Sequence, residues 1–203
     1  MPVNRHKSAK TDHPVHDLVR DRYSPCCFDH TVVEPEKLLA CLEAARWSAS
    51  SFNEQPWTFL VARRGDGEGF ARFLACLYEP NQAWAKMAGV LLMTAVCRTF
   101  TGNGKPNSMA EHDLGLAVGN LSLQATALGL AVHEMAGIDR EKVREVCGIP
   151  DSHEPFTALA MGYAADPDLA EGPLADRDRA LRRRKAIPEF VFTDVWGRAW
   201  PGR

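Results

Sequence analysis

Arg46-Trp47-Ser48-Ala49-Ser50-Ser51-Phe52-Asn53-Glu54-Gln55-Pro56-Trp57 is the stretch whose reading decides the fold. Before it, residues 36–46 place Leu38, Leu39, Leu42 and Ala45 at helical spacing, which predicts an amphipathic helix. After it, residues 57–62 (Trp-Thr-Phe-Leu-Val-Ala) form a short apolar, partly β-branched run that predicts a strand. A helix must therefore end and a strand begin across a junction carrying three hydroxyls and two amides. Pro56 has no N–H to give a sheet ladder and marks where the strand can start. Two readings of the junction stand side by side. One is a helix-to-strand turn satisfied by its own Ser and Asn side chains. The other is a surface of directed donors and acceptors for a planar polar ligand.

Downstream, residues 68–78 predict a second amphipathic helix. The run that ends at Cys97 is a continuous apolar strand of the kind buried on both faces. A loop rich in Gly, Asn and Pro fills 99–108. Residues 111–130 are apolar around nearly the whole helical circumference, with Gly115, Ala117, Gly119 and Ala125 among them. Such a helix must be buried, either at a subunit interface or in the core of a monomer. Residues 131–139 predict a strand ending in a glycine turn, and His133 within it is expected to be structural. A short charged helix at 140–147 stops at Gly148, and 156–163 is another buried strand. Residues 165–176 are acidic with two prolines and predict an extended connection. A basic cluster then opens at Arg177 and leads to Ile187-Pro188-Glu189-Phe190-Val191-Phe192.

The 203 residues, 45% hydrophobic and 25% charged, suit one soluble domain with a sizeable core. A net charge of −2 gives no global field for nucleic acid or an anionic membrane. No apolar run approaches the roughly 20 residues of a spanning helix, and the first ten residues lack the apolar core of a secretory signal. The six cysteines include no Cys-x-x-Cys pair, and a reducing, cytoplasmic setting is the default expectation. Residues 1–15 are expected to form a flexible polar tail, leaving 16–203 as a single domain. His6, His13 and His16 fall in or beside that tail without carboxylate or cysteine partners at ligand spacing, so no metal site is expected.

Ser50-Ser51-Phe52-Asn53-Glu54-Gln55-Pro56-Trp57, after Ala44-Ala45-Arg46-Trp47, resembles the signature loop of the nitroreductase family of FMN-dependent oxidoreductases; Ala49 stands where that family usually has Pro. Arg22-Tyr23-Ser24-Pro25-Cys26 resembles its Arg-x-Ser-x-Arg segment, which cradles the FMN phosphate and ribityl chain, with Cys26 in place of the second arginine. Asn81 stands where the family hydrogen-bonds the flavin pyrimidine edge, although a helix or turn cap is an equal reading. Trp84 occupies a place where some members carry lysine. Residues 111–130 are similar to the family's dimer-core helix. Glu134-Met135-Ala136-Gly137 matches the turn whose backbone lies against the isoalloxazine near N5, with Ala136 where some members have a carboxylate. Arg182 and Arg184 resemble the phosphate-binding Arg-x-Arg-Lys-Pro-Leu segment, Ala186-Ile187 replacing Pro-Leu.

The resemblance implies an α+β fold, a mixed sheet flanked by helices, built as an intertwined homodimer with C-terminal strand exchange. Each of two FMN sites would draw Arg22, Tyr23, Ser24, Asn81, residues 134–137, Arg182 and Arg184 from one chain and Ser50, Ser51, Asn53 and Gln55 from the other. NAD(P)H would deliver hydride to flavin N5, and a nitroaromatic, quinone or enone would take it in a ping-pong cycle. No side chain is expected to be catalytic in itself, and no metal is expected. Cys26 and Trp84 keep a second reading open, a flavin-binding storage or sensor protein without efficient turnover. A nucleic-acid adaptor using residues 182–185 is disfavoured by the acidic balance and the lack of interleaved aromatics. Cys26 and Cys27 read either as a redox thiol pair or, with vicinal disulfides strained, as packing residues.

Overall fold

The computed structural model describes residues 7–169 and 171–201. In chain order the elements are α1 (Asp17–Asp21), α2 (Pro35–Arg46), β1 (Trp57–Arg63), α3 (Glu68–Ala75), α4 (Glu79–Ala85), β2 (Val90–Cys97), α5 (Ala110–Ala127), β3 (Ala131–Met135), α6 (Arg140–Cys147), β4 (His153–Gly162) and α7 (Pro173–Arg179). Their ends follow local chemistry. The His16 ring accepts the Leu18 N–H at 3.2 Å and opens α1. Pro35 sits in the first turn of α2, where its missing N–H costs nothing. Asp139 accepts the Lys142 N–H at 3.0 Å to start α6, and Gly148, at φ 63°, closes it in the left-handed region open to glycine.

The four strands form one sheet in the order β1-β2-β4-β3. It is buried on both faces. Leu91, Met93 and Ala95 of β2 pack with Phe70, Phe73, Trp84 and Ile138 on one side. Val90, Leu92 and Val96 pack with Leu38, Leu114 and Leu121 of α2 and α5 on the other. This two-sided burial is why β2 reads as an unbroken apolar run. The β2–β4 register shifts between Met93 and Ala95. There the buried Thr94 hydroxyl accepts the Thr157 N–H and donates to the Thr157 carbonyl, both at 3.0 Å, so a side chain takes the place of the interrupted ladder bonds at Thr157.

Three expectations are corrected. The sheet is antiparallel throughout its described pairs, not mixed. Residues 187–192 form no strand in this chain: Ile187–Glu189 is a single 3-10 turn. Pro188 has no N–H to share, and the Glu189 carboxylate accepts the Ala186 N–H at 2.6 Å, so the turn closes on itself. The connection at 165–176 is not extended but contains the start of α7, with Pro173 in its first turn. Of the expected tail, His6 lies outside the described residues. Residues 7–15 contain no helix or strand, yet Lys7 is buried, its Nζ donating to the carbonyls of Arg177 and Ala180 at 2.7 and 2.6 Å. Among the described residues no helix is long and apolar enough to cross a membrane.

Candidate functional site

The structure gathers the expected site residues into two groups. The first lies where the segment 22–27, the end of β3 and the chain after α7 meet. Arg22 is half-buried and its Nη1 donates to Ser24 Oγ at 3.3 Å. Burial, together with the nearby Arg184, pulls its pKa below the ordinary guanidinium value, while Glu134 pulls the other way. Arg182 is depressed in the same manner, by burial and then by Arg22 and Arg184. Among the described residues none of these three arginines has a carboxylate at ion-pair distance. Arg182 Nη1 donates to the carbonyls of Lys7 and Arg20, and Arg184 Nη1 to that of Arg183. Guanidiniums brought together against their own repulsion make a site for an anion.

The turn at 134–137 continues this group. Glu134 is exposed and accepts from Ser122 Oγ at 3.4 Å; Met135 is buried in the core, so only its backbone faces outward; Ala136 is exposed. Asn81 Nδ2 donates to the Gly137 carbonyl at 3.2 Å, and the Tyr78 N–H reaches the same oxygen at 3.0 Å. Asn81 makes no cap: it lies inside α4, whose N-cap is Tyr78. A Cβ at position 137 would come within 2.6 Å of Asn81 Nδ2, so any side chain there would displace the amide from its place against the turn. Tyr23 is half-buried beside Arg22.

The second group is the loop 50–55. Three non-glycine residues in it have left-handed backbone: Phe52 (φ 53°), Asn53 (φ 58°) and Gln55 (φ 52°). Asparagine tolerates this region, but a bulky phenylalanine does not do so without cost. The conformation is held by Asp113 Oδ2 accepting the Ser51 N–H (3.0 Å) and by Ser50 Oγ accepting the Gln55 N–H (3.0 Å). The Glu54 carboxylate also accepts the Thr101 N–H at 2.7 Å. Phe52, 92% exposed, meets Phe100 edge-on. Backbone strain of this kind persists only where surrounding bonds over-determine it, as these three hydrogen bonds do here. Among the described residues no hydrogen bond or ion pair joins it to the arginine group.

Sequence reasoning missed the anchors. Asp178 of α7, 2% exposed, accepts the Cys26 N–H at 2.9 Å and the Cys27 N–H at 2.8 Å. It sits in an Asp-Arg repeat that reads as surface charge; its only clue is the helical spacing from Ala175, which is also buried. Asp113 was visible only as part of a helix motif. His133 is structural as expected: its ring stacks on Trp84 (centroids 4.3 Å apart) and its Nδ1 donates to the Pro25 carbonyl at 2.7 Å. Burial lowers its pKa. Trp84, stacked also on Phe28, is a core residue and brings no charge to the site. Cys26 is buried and burial raises its thiol pKa; Cys27 is raised to about 11 by burial and by Asp178. Neither thiol is activated.

The chain is an α+β protein with an arginine cluster near the end of β3 and a strained polar loop before β1. By comparison with known proteins the chain belongs to the nitroreductase family, whose family model matches residues 19–163. It is 32% identical over 145 residues to an uncharacterized 15.4 kDa protein in the ask 5′ region of Mycolicibacterium smegmatis, covering 68% of this chain and 97% of that one. It is 26% identical to the major NAD(P)H-flavin oxidoreductase of Aliivibrio fischeri, over 89% of this chain and 98% of the other. A crystal structure of an oxidoreductase containing FMN superposes with a TM-score of 0.87 at 33% identity, covering 94% of this chain and 96% of that one.

Proposed function

We propose that this protein is an FMN-dependent oxidoreductase that takes hydride from NAD(P)H and passes it to a small electron-poor acceptor, a nitroaromatic, quinone or enone, in a ping-pong cycle. The observation that carries this reading is the Arg22–Arg182–Arg184 cluster: like charges held together, Arg22 and Arg182 half-buried, without a carboxylate at ion-pair distance among the described residues. A phosphate monoester relieves that repulsion, and its oxygens suit guanidinium donors. The likeness to an FMN-containing structure and to a flavin oxidoreductase supports the choice of FMN as that monoester. When bound, FMN supplies two-electron hydride chemistry at its N5, so no nucleophilic side chain is called for.

The chain's own residues bind and orient. Arg22 and Arg184 hold the phosphate, Arg182 adds charge while its Nη1 braces the backbone, and Ser24 contributes its hydroxyl. Asn81, with Nδ2 committed to Gly137, has its Oδ1 left to accept from the ring N–H of the ligand. The backbone of 134–137 forms the wall beside the ring, and Tyr23 lies alongside. A second copy of the chain supplies Ser50, Ser51, Asn53 and Gln55. Two features support this homodimer. The loop 50–55 stands apart from the arginine group within one chain, and α5 leaves Gly115, Leu116 and Gly119 exposed, with nothing within 4 Å of a Cβ built at either glycine. Six free cysteines accord with a reducing, cytoplasmic setting.

An absorbance spectrum with and without added FMN, followed by anaerobic NADH or NADPH, tests the reading. Bound flavin that bleaches with either nucleotide is the expected result. Flavin that binds but resists both donors would replace turnover with the storage or sensor role. No binding at micromolar FMN would defeat the proposal.

A further inference from the structure

We infer that Asp178 is a positioning residue for the phosphate-binding Arg22 and Ser24, and that together with Lys7 it forms a clamp standing in for the second arginine that Cys26 replaces. This rests on the FMN reading above. The segment 20–27 has no regular structure from Arg22 onward, so its shape must be imposed from outside. It is pinned at both ends by groups remote in sequence. On one side the Arg20 carbonyl accepts from Arg182 Nη1 at 2.7 Å and from the Ala9 N–H at 2.9 Å. On the other, the Pro25 carbonyl accepts from His133 Nδ1 at 2.7 Å, and the N–H groups of Cys26 and Cys27 are both taken by Asp178. Arg22 and Ser24 lie between these fixed points.

Asp178 is an unusual choice of anchor. It is 2% exposed, and among the described residues no cation lies within ion-pair distance of it. A buried carboxylate is costly unless its oxygens are hydrogen-bonded, so its two main-chain donors are what keep it. Lys7 completes the arrangement. Its Nζ donates to the carbonyls of Arg177 and Ala180, which flank Asp178, and its own carbonyl accepts from Arg182 Nη1 at 3.0 Å. The chain from 7 to 9, the segment 20–27 and the chain from 177 to 182 therefore close into one ring of hydrogen bonds. Cys26 itself is 2% exposed and turned into the core, where it has no contact to offer a phosphate. A second arginine would have tied the segment to the anion. Here the segment is ordered beforehand by the clamp, and a preordered site loses less freedom when the anion arrives.

The test compares FMN with riboflavin, which has the same ring but no phosphate, by titrating flavin fluorescence against wild type, Asp178→Ala, Asp178→Asn and Lys7→Met. The clamp requires Asp178→Ala to raise the FMN dissociation constant by about tenfold or more while leaving that of riboflavin unchanged. Lys7→Met should move FMN the same way by less. Asp178→Asn keeps an acceptor oxygen and should show the same split, weaker; it decides the matter if the alanine variant does not fold. FMN binding at the wild-type constant in both Asp178 variants would overturn the inference. So would equal loss of FMN and riboflavin, which would mean general packing. Wild-type protein that binds neither flavin would bring down the cofactor reading, and this inference with it.

Discussion

Asp113 and Asp178 perform the same act at two places. Each is 2% exposed, and each spends its carboxylate on main-chain N–H groups of an irregular segment: Asp113 on Ser51, Asp178 on Cys26 and Cys27. The segments respond differently. The loop 50–55 is mostly held by itself, through Ser50 to Gln55, Gln55 to the Asn53 carbonyl, and three left-handed residues. The segment 20–27 has little local support and takes its shape from residues 9, 133, 178 and 182. One part of the site carries its conformation in its own short side chains. The other borrows it from both ends of the chain.

The sharpest way to separate the two is Arg22→Ala. It removes one guanidinium–phosphate contact of about 1.5–3 kcal/mol, so FMN affinity should fall about ten- to a hundredfold, and riboflavin affinity should hold. Fluorescence titration checks both; an equal fall for riboflavin would contradict a phosphate role. Asp113→Ala comes next. It leaves the Ser51 N–H without its acceptor and should cost about 1–3 kcal/mol in urea denaturation. The loop stands apart from the proposed phosphate-binding arginines, so on the proposed reading FMN and riboflavin should weaken together, the opposite of the split expected at Asp178.

A smaller effect is expected at His133, which braces Pro25. Its buried ring stays neutral, with a folded-state pKa below the ordinary 6.5. Below 6.5 the unfolded chain binds a proton that the native ring resists. The stability it contributes is thus complete above 6.5 and declines as pH falls toward the folded pKa. Melting temperature should drop more between about pH 7.5 and about pH 5 in wild type than in His133→Gln; parallel curves would count against the buried neutral ring. The smallest effect concerns Cys27. With its pKa raised to about 11, it should react with iodoacetamide near neutral pH far more slowly than a free thiol. Rapid labelling at Cys27, read by mass spectrometry of peptides, would reopen the redox-pair reading.

Most elements were legible because their signals are local. Leu38, Cys41 and Ala45 repeat at helical spacing and are buried, and β2 reads as an unbroken apolar run because both its faces are covered. The Ser-Ser-Phe-Asn-Glu-Gln-Pro-Trp loop was equally readable, since its short side chains act on their own backbone. The failures were where distant chain decides. Pro167 and Pro173 suggested an extended connection, yet Pro173 starts a helix in which Ala175 and Asp178 are buried, Asp178 against the Cys26 and Cys27 N–H groups. Ile187 to Phe192 has the composition of a strand, but Pro188 and the Glu189 carboxylate close Ile187–Glu189 into a 3-10 turn, and only Phe192 pairs, in a single bridge to Ala199.

By itself, then, the sequence determined α2, α3, α5 and α6, the four strands of the sheet, the polar loop 50–55 and the family to which the chain belongs, because periodicity, turn chemistry and short motifs act over a few residues. Only the tertiary structure decided that Asp178 binds the Cys26 and Cys27 N–H groups, that Lys7 binds the carbonyls of Arg177 and Ala180, that the loop 50–55 is strained, and that Cys26 is turned into the core. Those outcomes depend on burial and hydrogen bonds between positions far apart in the chain, and no local pattern of side chains records which distant partner a buried charge will find.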